Sequence, residues 1–245
     1  MKKIFLLLLL ISTTFSIGFA QKQLSEGYIK MEVTDVQSDD PQVMQAAEMM
    51  KGGVMEFYFT QAKARVDMTM GMMMKTKNFT DVAANKSYSF MDTMGKKIKL
   101  VTDMNDKDAK KAKDAEKAMK DIEFKVKKHD GVTKNILGYT CTKVEVSMIP
   151  KDGEPMKMVY YVTDAIKMPK NAGISNMNRG MGKVKLPDIG GNPLEMTINA
   201  GPMALTYTAV KISEKIYDKD FEMPSGYKEM TEEEMSKMFQ GGGGF

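Results

Sequence analysis

The feature that most constrains this chain is a repeated alternation of apolar and polar residues with period two. That pattern suits strands with one buried and one wet face, and it does not build an amphipathic helix. The clearest stretch is Lys63 to Met70, where Ala64, Val66, Met68 and Met70 point one way and Lys63, Arg65, Asp67 and Thr69 the other. Ile29, Met31 and Val33 share a face between Gly27 and Val36, and Met55, Phe57 and Phe59 repeat the theme. The Gln61-Ala62 step between two such runs is short enough for a hairpin. Further strands are predicted over Lys75 to Asp81, Ser87 to Met91, Lys97 to Thr102, Ile122 to Lys127, Tyr139 to Met148, Met156 to Thr163, Leu194 to Ile198 and Met203 to Ile212. Strands joined by short turns, with few helices between them, imply an antiparallel sheet.

Three helices are expected among the strands. Asp40 caps the first, with Pro41 at its first position, Gly52 beyond its end, and Val43, Ala46, Ala47 and Met50 as its apolar stripe. The second, Asn105 to Lys120, is mostly Lys, Asp and Ala and reads as solvated. The third begins at Thr231, where Glu234 completes a capping box. The Gly- and Asn-rich stretch from Pro169 to Gly191 is a long loop, either a flap or disordered.

The first 20 residues read as a cleavable secretory signal: Lys2 and Lys3, an apolar run from Ile4, then Gly18 and Ala20 before the cut. The run falls short of the roughly 20 apolar residues a membrane span needs, and Gln21 stands where a lipoprotein has cysteine. The expected product is a periplasmic or secreted protein with residues 21–240 as one domain and a glycine-rich tail over 241–245. Losing Lys2 and Lys3 lowers the net charge from +4 to +2, too little to argue for a nucleic acid partner.

Residues that could carry chemistry are sparse. His129 is the only histidine, placed by Lys128 and Asp130-Gly131 at a strand end that turns, and without a partnered nucleophile it does not suggest catalysis. Cys141 is the only cysteine, which excludes an internal disulfide. It reads as a small buried hydrophobe, but its parity opposes that of Val144, Val146 and Met148, so either a bulge intervenes or both faces of the strand are covered. No Cys/His cluster, calcium loop or phosphate loop is present, and no cofactor is expected. The 27 methionines are unusual, and Met68, Met70, Met72 and Met74 would form a row on one side of a strand. Thioethers suit Cu(I), so this row is either a soft-metal site or a methionine-rich core.

The segment Ile136-Leu137-Gly138-Tyr139-Thr140-Cys141-Thr142-Lys143 resembles the signature of a bacterial exported family, domain of unknown function 4412. Glu26-Gly27-Tyr28-Ile29, Tyr160 to Ile166, Asn192-Pro193-Leu194-Glu195 and Gly226 to Thr231 extend the resemblance. It implies a fold similar to the periplasmic lipoprotein carriers: one strongly curved antiparallel sheet, an open half-barrel covered by two or three helices. It carries over no catalytic residue. The function expected is non-catalytic binding of a lipid or other apolar small molecule in the concave face, lined by Ile29, Met31, Val33, Phe57, Phe59, Val66, Met68 and Met70. The alternatives are Cu(I) binding through the methionine row, and an envelope interaction module using the Asn105 to Lys120 helix or the loop near Arg179.

Overall fold

The computed structural model describes residues 23–48, 50–70, 74–93, 95–103, 122–151, 155–168 and 187–240. The segment expected to be a secretory signal, the helix expected over Asn105 to Lys120, most of the Pro169 to Gly191 stretch and the glycine-rich end lie outside them.

Strand β1 (Gly27–Ser38) is followed by helix α1 (Pro41–Glu48) and then by β2 (Val54–Phe59), β3 (Lys63–Met70), β4 (Met74–Asp81), β5 (Lys86–Thr93) and β6 (Lys96–Asp103). After these come β7 (Ile122–Ile136), β8 (Tyr139–Pro150), β9 (Met156–Thr163), β10 (Asn192–Ala200) and β11 (Met203–Ser213). A short 3-10 helix (Asp218–Phe221), β12 (Lys228–Glu229) and helix α2 (Glu232–Gln240) complete the described chain. All twelve strands form one sheet in the order β12-β6-β5-β4-β3-β2-β1-β11-β10-β9-β8-β7, open at both ends. Every pairing is antiparallel except β12 on β6.

The alternation read from the sequence decides which face is buried. Ile29 pairs with Phe57 and Phe57 with Val66, while Met31 pairs with Met55 and Met55 with Met68. Directly opposed residues share a face, so one apolar sheet surface runs from β3 through β1 to β8, where Val144 and Val146 join it. Helix α1 lies against β1 and β11 and contributes Met44, a residue outside the stripe expected for it. Its cap is as expected, with Asp40 Oδ1 accepting from Gln42 N at 2.8 Å. The capping box of α2 also forms, Thr231 Oγ1 accepting from Glu234 N at 3.1 Å and Glu234 Oε2 from Thr231 N at 2.8 Å.

Two close approaches fix the entrance to the sheet. Leu24 N donates to Ala165 O and Lys167 N to Leu24 O, both at 2.7 Å, tying the segment before β1 to the segment after β9. Gly27 then passes so near Ser213 that a Cβ would sit 2.5 Å from its carbonyl oxygen, at a φ of +154° that disfavours any side chain.

The opposite face of β2–β6 has its own covering. Arg65 donates to both carboxylate oxygens of Asp67, at 2.7 and 2.5 Å, and to the Asp220 carbonyl at 2.6 Å, which clips the 3-10 helix onto β3. Its guanidinium lies 4.7 Å from the Tyr58 ring centre, and Tyr227 packs edge-on against Phe90 at 5.2 Å. Burial is the first cause that raises the phenol of Tyr58 to about 12, with the carboxylate of Glu56 next.

Candidate functional site

The eight residues expected to line a binding face share one side of the sheet. Ile29, Met31, Val33, Phe57, Phe59 and Val66 are buried in the main apolar cluster, and Met68 and Met70 are half-buried. Met44, Leu24, Ile166 and Met168 pack into the same cluster. The space left beside Ile29 and Phe57 is a void of about 10 Å³, bounded by Met168, Asn192 and Pro193. Ligand pockets hold about 300–1,000 Å³, so this face is packed as a core where it is described. Met72, from the expected metal row, lies outside the described residues.

A hollow of ligand size occurs elsewhere, where the β7–β8 hairpin meets the end of β11. It is a shallow concavity of about 630 Å³, broadly open to solvent, lined by Leu137, Tyr139, Val210, Ile212, Lys211 and Lys215, with Ser213 and Glu214. Strands β8 and β11 are separated in the sheet by β9 and β10, and the hollow spans the ends of all four. On the face away from Val144, Lys134 on β7 reaches across β8 and β9, its Nζ 2.6 Å from Glu195 Oε2 on β10. Lys134 also lies 5.5 Å from the Tyr161 ring centre, and Thr208 Oγ1 donates to the same carboxylate at 3.0 Å. A buried Glu195 is thereby held by a cation and a hydroxyl, and the hairpin is pinned over the sheet.

The hairpin tip is under strain. Ile136 pairs with Tyr139 across a two-residue turn, Leu137 and Gly138, with φ of 51° and 87°. Two positive φ values match the twist of the flanking strands, but the first such position favours Asn, Asp or Gly. Leucine there is an outlier, since its Cβ crowds the backbone in the left-handed region. Asn135 Oδ1, accepting from Gly138 N at 3.1 Å, supports the turn. Leu137 is nevertheless 48% exposed and borders the hollow, with Val210 at 39% facing it.

Cys141 and His129 find structural places. The Thr142 to Met148 register along β9 is unbroken, so Cys141 sits on the face away from Val144 and Val146. Both faces of β8 are covered there. Cys141 is fully buried, and burial first, then the nearby Glu195 carboxylate, raises its thiol to about 11, the opposite of activation. His129 corrects the expected strand end: β7 continues to Ile136, because the pairing skips Asp130, Gly131 and Val132 as a bulge and then resumes. Its Nε2 lies 3.1 Å from Glu145 Oε2, a charge approach without the alignment of a hydrogen bond. A hydrogen bond from Lys143, and then His129, hold the Glu145 carboxyl below its usual range. Among the described residues no three His, Cys, Asp or Glu side chains converge as metal ligands. Nor is any described helix long and apolar enough to cross a membrane.

Sequence reasoning did not find the hollow. Its only signal was the leucine preceding Gly138 in a hairpin turn. Val210 is carried outward because β1 and β11 slip register between Met31–Ala209 and Lys30–Lys211, which alternation does not reveal.

No protein-family model matches this chain, and no curated protein does. Among solved structures, PNGF-II is similar over 88% of this chain, with 14% identity and a TM-score of 0.48; the chain spans about a third (33%) of its length. A beta-barrel-like protein of domain of unknown function DUF1849 from Brucella abortus is similar over 80% of this chain and 100% of its own, with 11% identity and a TM-score of 0.38. LprF from Mycobacterium bovis is similar over 85% and 93%, with 12% identity and a TM-score of 0.34.

Proposed function

We propose that this protein is an exported, non-catalytic binding protein, and that its ligand is an amphiphile with an apolar chain and an anionic head, held in the hollow beside Leu137. The observation that carries the reading is a leucine kept in a strained backbone conformation and half in water, at the rim of a ligand-sized hollow. Strain persists where the surroundings impose it, and an observed outlier is a legitimate pointer to function. Leu137, Tyr139, Val210 and Ile212 offer an apolar floor, and Lys211 and Lys215 offer positive charge beside it. This keeps the ligand class expected from the sequence and moves its seat from the packed concave face to the hairpin end. The basic tip and apolar run of the N-terminus support action outside the cytoplasm. The buried thiol, raised to about 11, supports the non-catalytic reading.

The test is native mass spectrometry of protein purified from its own cell envelope, joined to displacement of a fluorescent fatty acid. A copurified lipid, and uptake lost in the Leu137→Asp, Val210→Asp double variant, are expected. A bare mass with no uptake would overturn the proposal, as would uptake indifferent to those substitutions.

A further inference from the structure

The cross-strand register assembles methionines that the sequence spreads over five strands. Met31 opposes Met55 and Met55 opposes Met68. Met68 opposes Thr76, which opposes Met91. One step along the same face, Met70 opposes Met74, which opposes Thr93. Met31 and Met55 are sealed at 1% exposure and belong to the core. Met68, Met70, Met74 and Met91 are half-buried, in a single patch where the concave face passes from β3 to β5.

Packing accounts for only part of this patch: Met68 adjoins the core cluster and Met91 opposes the buried Ile98. The rest of the same face on β4 and β5 is polar, with Asn78, Thr80, Ser87 and Ser89, so no apolar sheet surface continues there. Met74 is the hub of the patch, opposed to Met70 at about 5 Å between Cβ atoms and diagonal to Met68 and to Met91 at about 7–8 Å, while Met91 stands across Thr76 from Met68 at about 10 Å. Methionine is long, flexible and polarizable enough for sulfurs at those spacings to converge on one point. The register puts Thr76 and Thr93 beside them, Ile98 and Lys96 beyond, and no carboxylate among the four. Neutral thioethers without a carboxylate, imidazole or thiolate are a donor set for soft ions and are poor ligands for hard ones. A monovalent ion also demands less compensating charge on entering a half-buried site.

We propose that Met68, Met70, Met74 and Met91 form a thioether site for one soft monovalent cation, Cu(I) or Ag(I). The site is open to solvent on one side and backed by the packed Met31–Met55 pair. It is separate from the hollow at Leu137 and does not depend on it.

The experiment uses the mature protein, titrated anaerobically with Cu(I) against a colorimetric chelator. In parallel, Ag(I) is titrated against protein carrying labelled methionine methyl groups and followed by NMR. One equivalent should bind, and four methyl resonances should move while the rest stay. Replacing all four with leucine conserves volume. Loss of outer-sphere support alone costs metal sites about 10–100-fold in affinity, so removing the ligands should weaken binding at least about tenfold. The Met31→Leu, Met55→Leu variant should bind as the parent does, and so should the Leu137→Asp, Val210→Asp variant. The proposal fails if the chelator is never outcompeted, if the quadruple variant binds equally well, or if Ag(I) shifts methyl resonances across the whole chain. Should the quadruple variant not fold, the methyl spectrum of the parent decides.

Discussion

Replacing Leu137 with asparagine should separate stability from binding. The residue occupies the first of two positive-φ positions in the β7–β8 turn, at 51°. A side chain with a Cβ costs roughly 1–2 kcal/mol there, and asparagine is among the residues that tolerate it. Against that gain stands the lost burial of the leucine. Full burial of a leucine contributes about 1.5–3 kcal/mol, and Leu137 is 48% exposed, so about 1 kcal/mol is forfeited. The balance lies between about zero and +1 kcal/mol of added stability, a rise in Tm of up to about 4 °C for a domain of this size. Thermal denaturation followed by circular dichroism reads the first half, and fluorescent fatty acid uptake reads the second. Leu137→Asn should melt no lower than the parent yet bind several-fold more weakly, because the hollow loses one apolar wall. A fall in Tm beyond about 4 °C would mean that the leucine is a packing residue. Undiminished uptake would mean that it is not part of the site.

Three further outcomes follow from the packing. Arg65→Met leaves Asp67 buried with Lys77 at 3.6 Å as its remaining cation; breaking a buried pair costs about 3–5 kcal/mol, and we expect the lower end, measured by urea unfolding, with the 3-10 helix released to faster amide exchange. Gly27→Ala drives a Cβ to 2.5 Å from Ser213 O and should cost at least about 2 kcal/mol through strain and overpacking; an unchanged urea midpoint would refute that close approach. Burial raises the phenols of Tyr58 and Tyr160 from 10.0 to about 12, so their contribution is complete below pH 10 and drains away as pH rises toward 12. Tm should therefore fall steeply across that window, while tyrosinate absorbance appears later than for free tyrosine.

Much of the sheet was legible because one face is dry and the other wet, so alternation specifies strand and register together. Lys63 to Met70 and Met156 to Thr163 are strands with the bounds their patterns predict. The Gln61-Ala62 hairpin forms as expected, closed by Thr60 Oγ1, which accepts from Lys63 N at 3.0 Å. What alternation could not show is where it breaks. The bulge after His129 looks in sequence like a turn, because Asp130-Gly131 is turn chemistry, and only the pairing partner β8 shows that the strand resumes. Cys141 was legible as buried but not as lying under a hairpin pinned by Lys134 to Glu195, a contact between residues 61 apart. β12 is two residues long and leaves no periodic trace. The eight concave-face residues were legible as sharing a side; that they fill it is a matter of volume, which parity does not encode.

The most direct measurement of the central claim is NMR of the chain from Gln21 onward with a spin-labelled fatty acid. Amide signals of Leu137, Tyr139, Val210 and Ile212 should broaden and recover when unlabelled fatty acid displaces the probe, while those of Ile29, Met31 and Phe57 stay sharp. Broadening centred on Ile29, Met31 and Phe57, or none at all, would contradict a ligand seated at the β7–β8 hairpin.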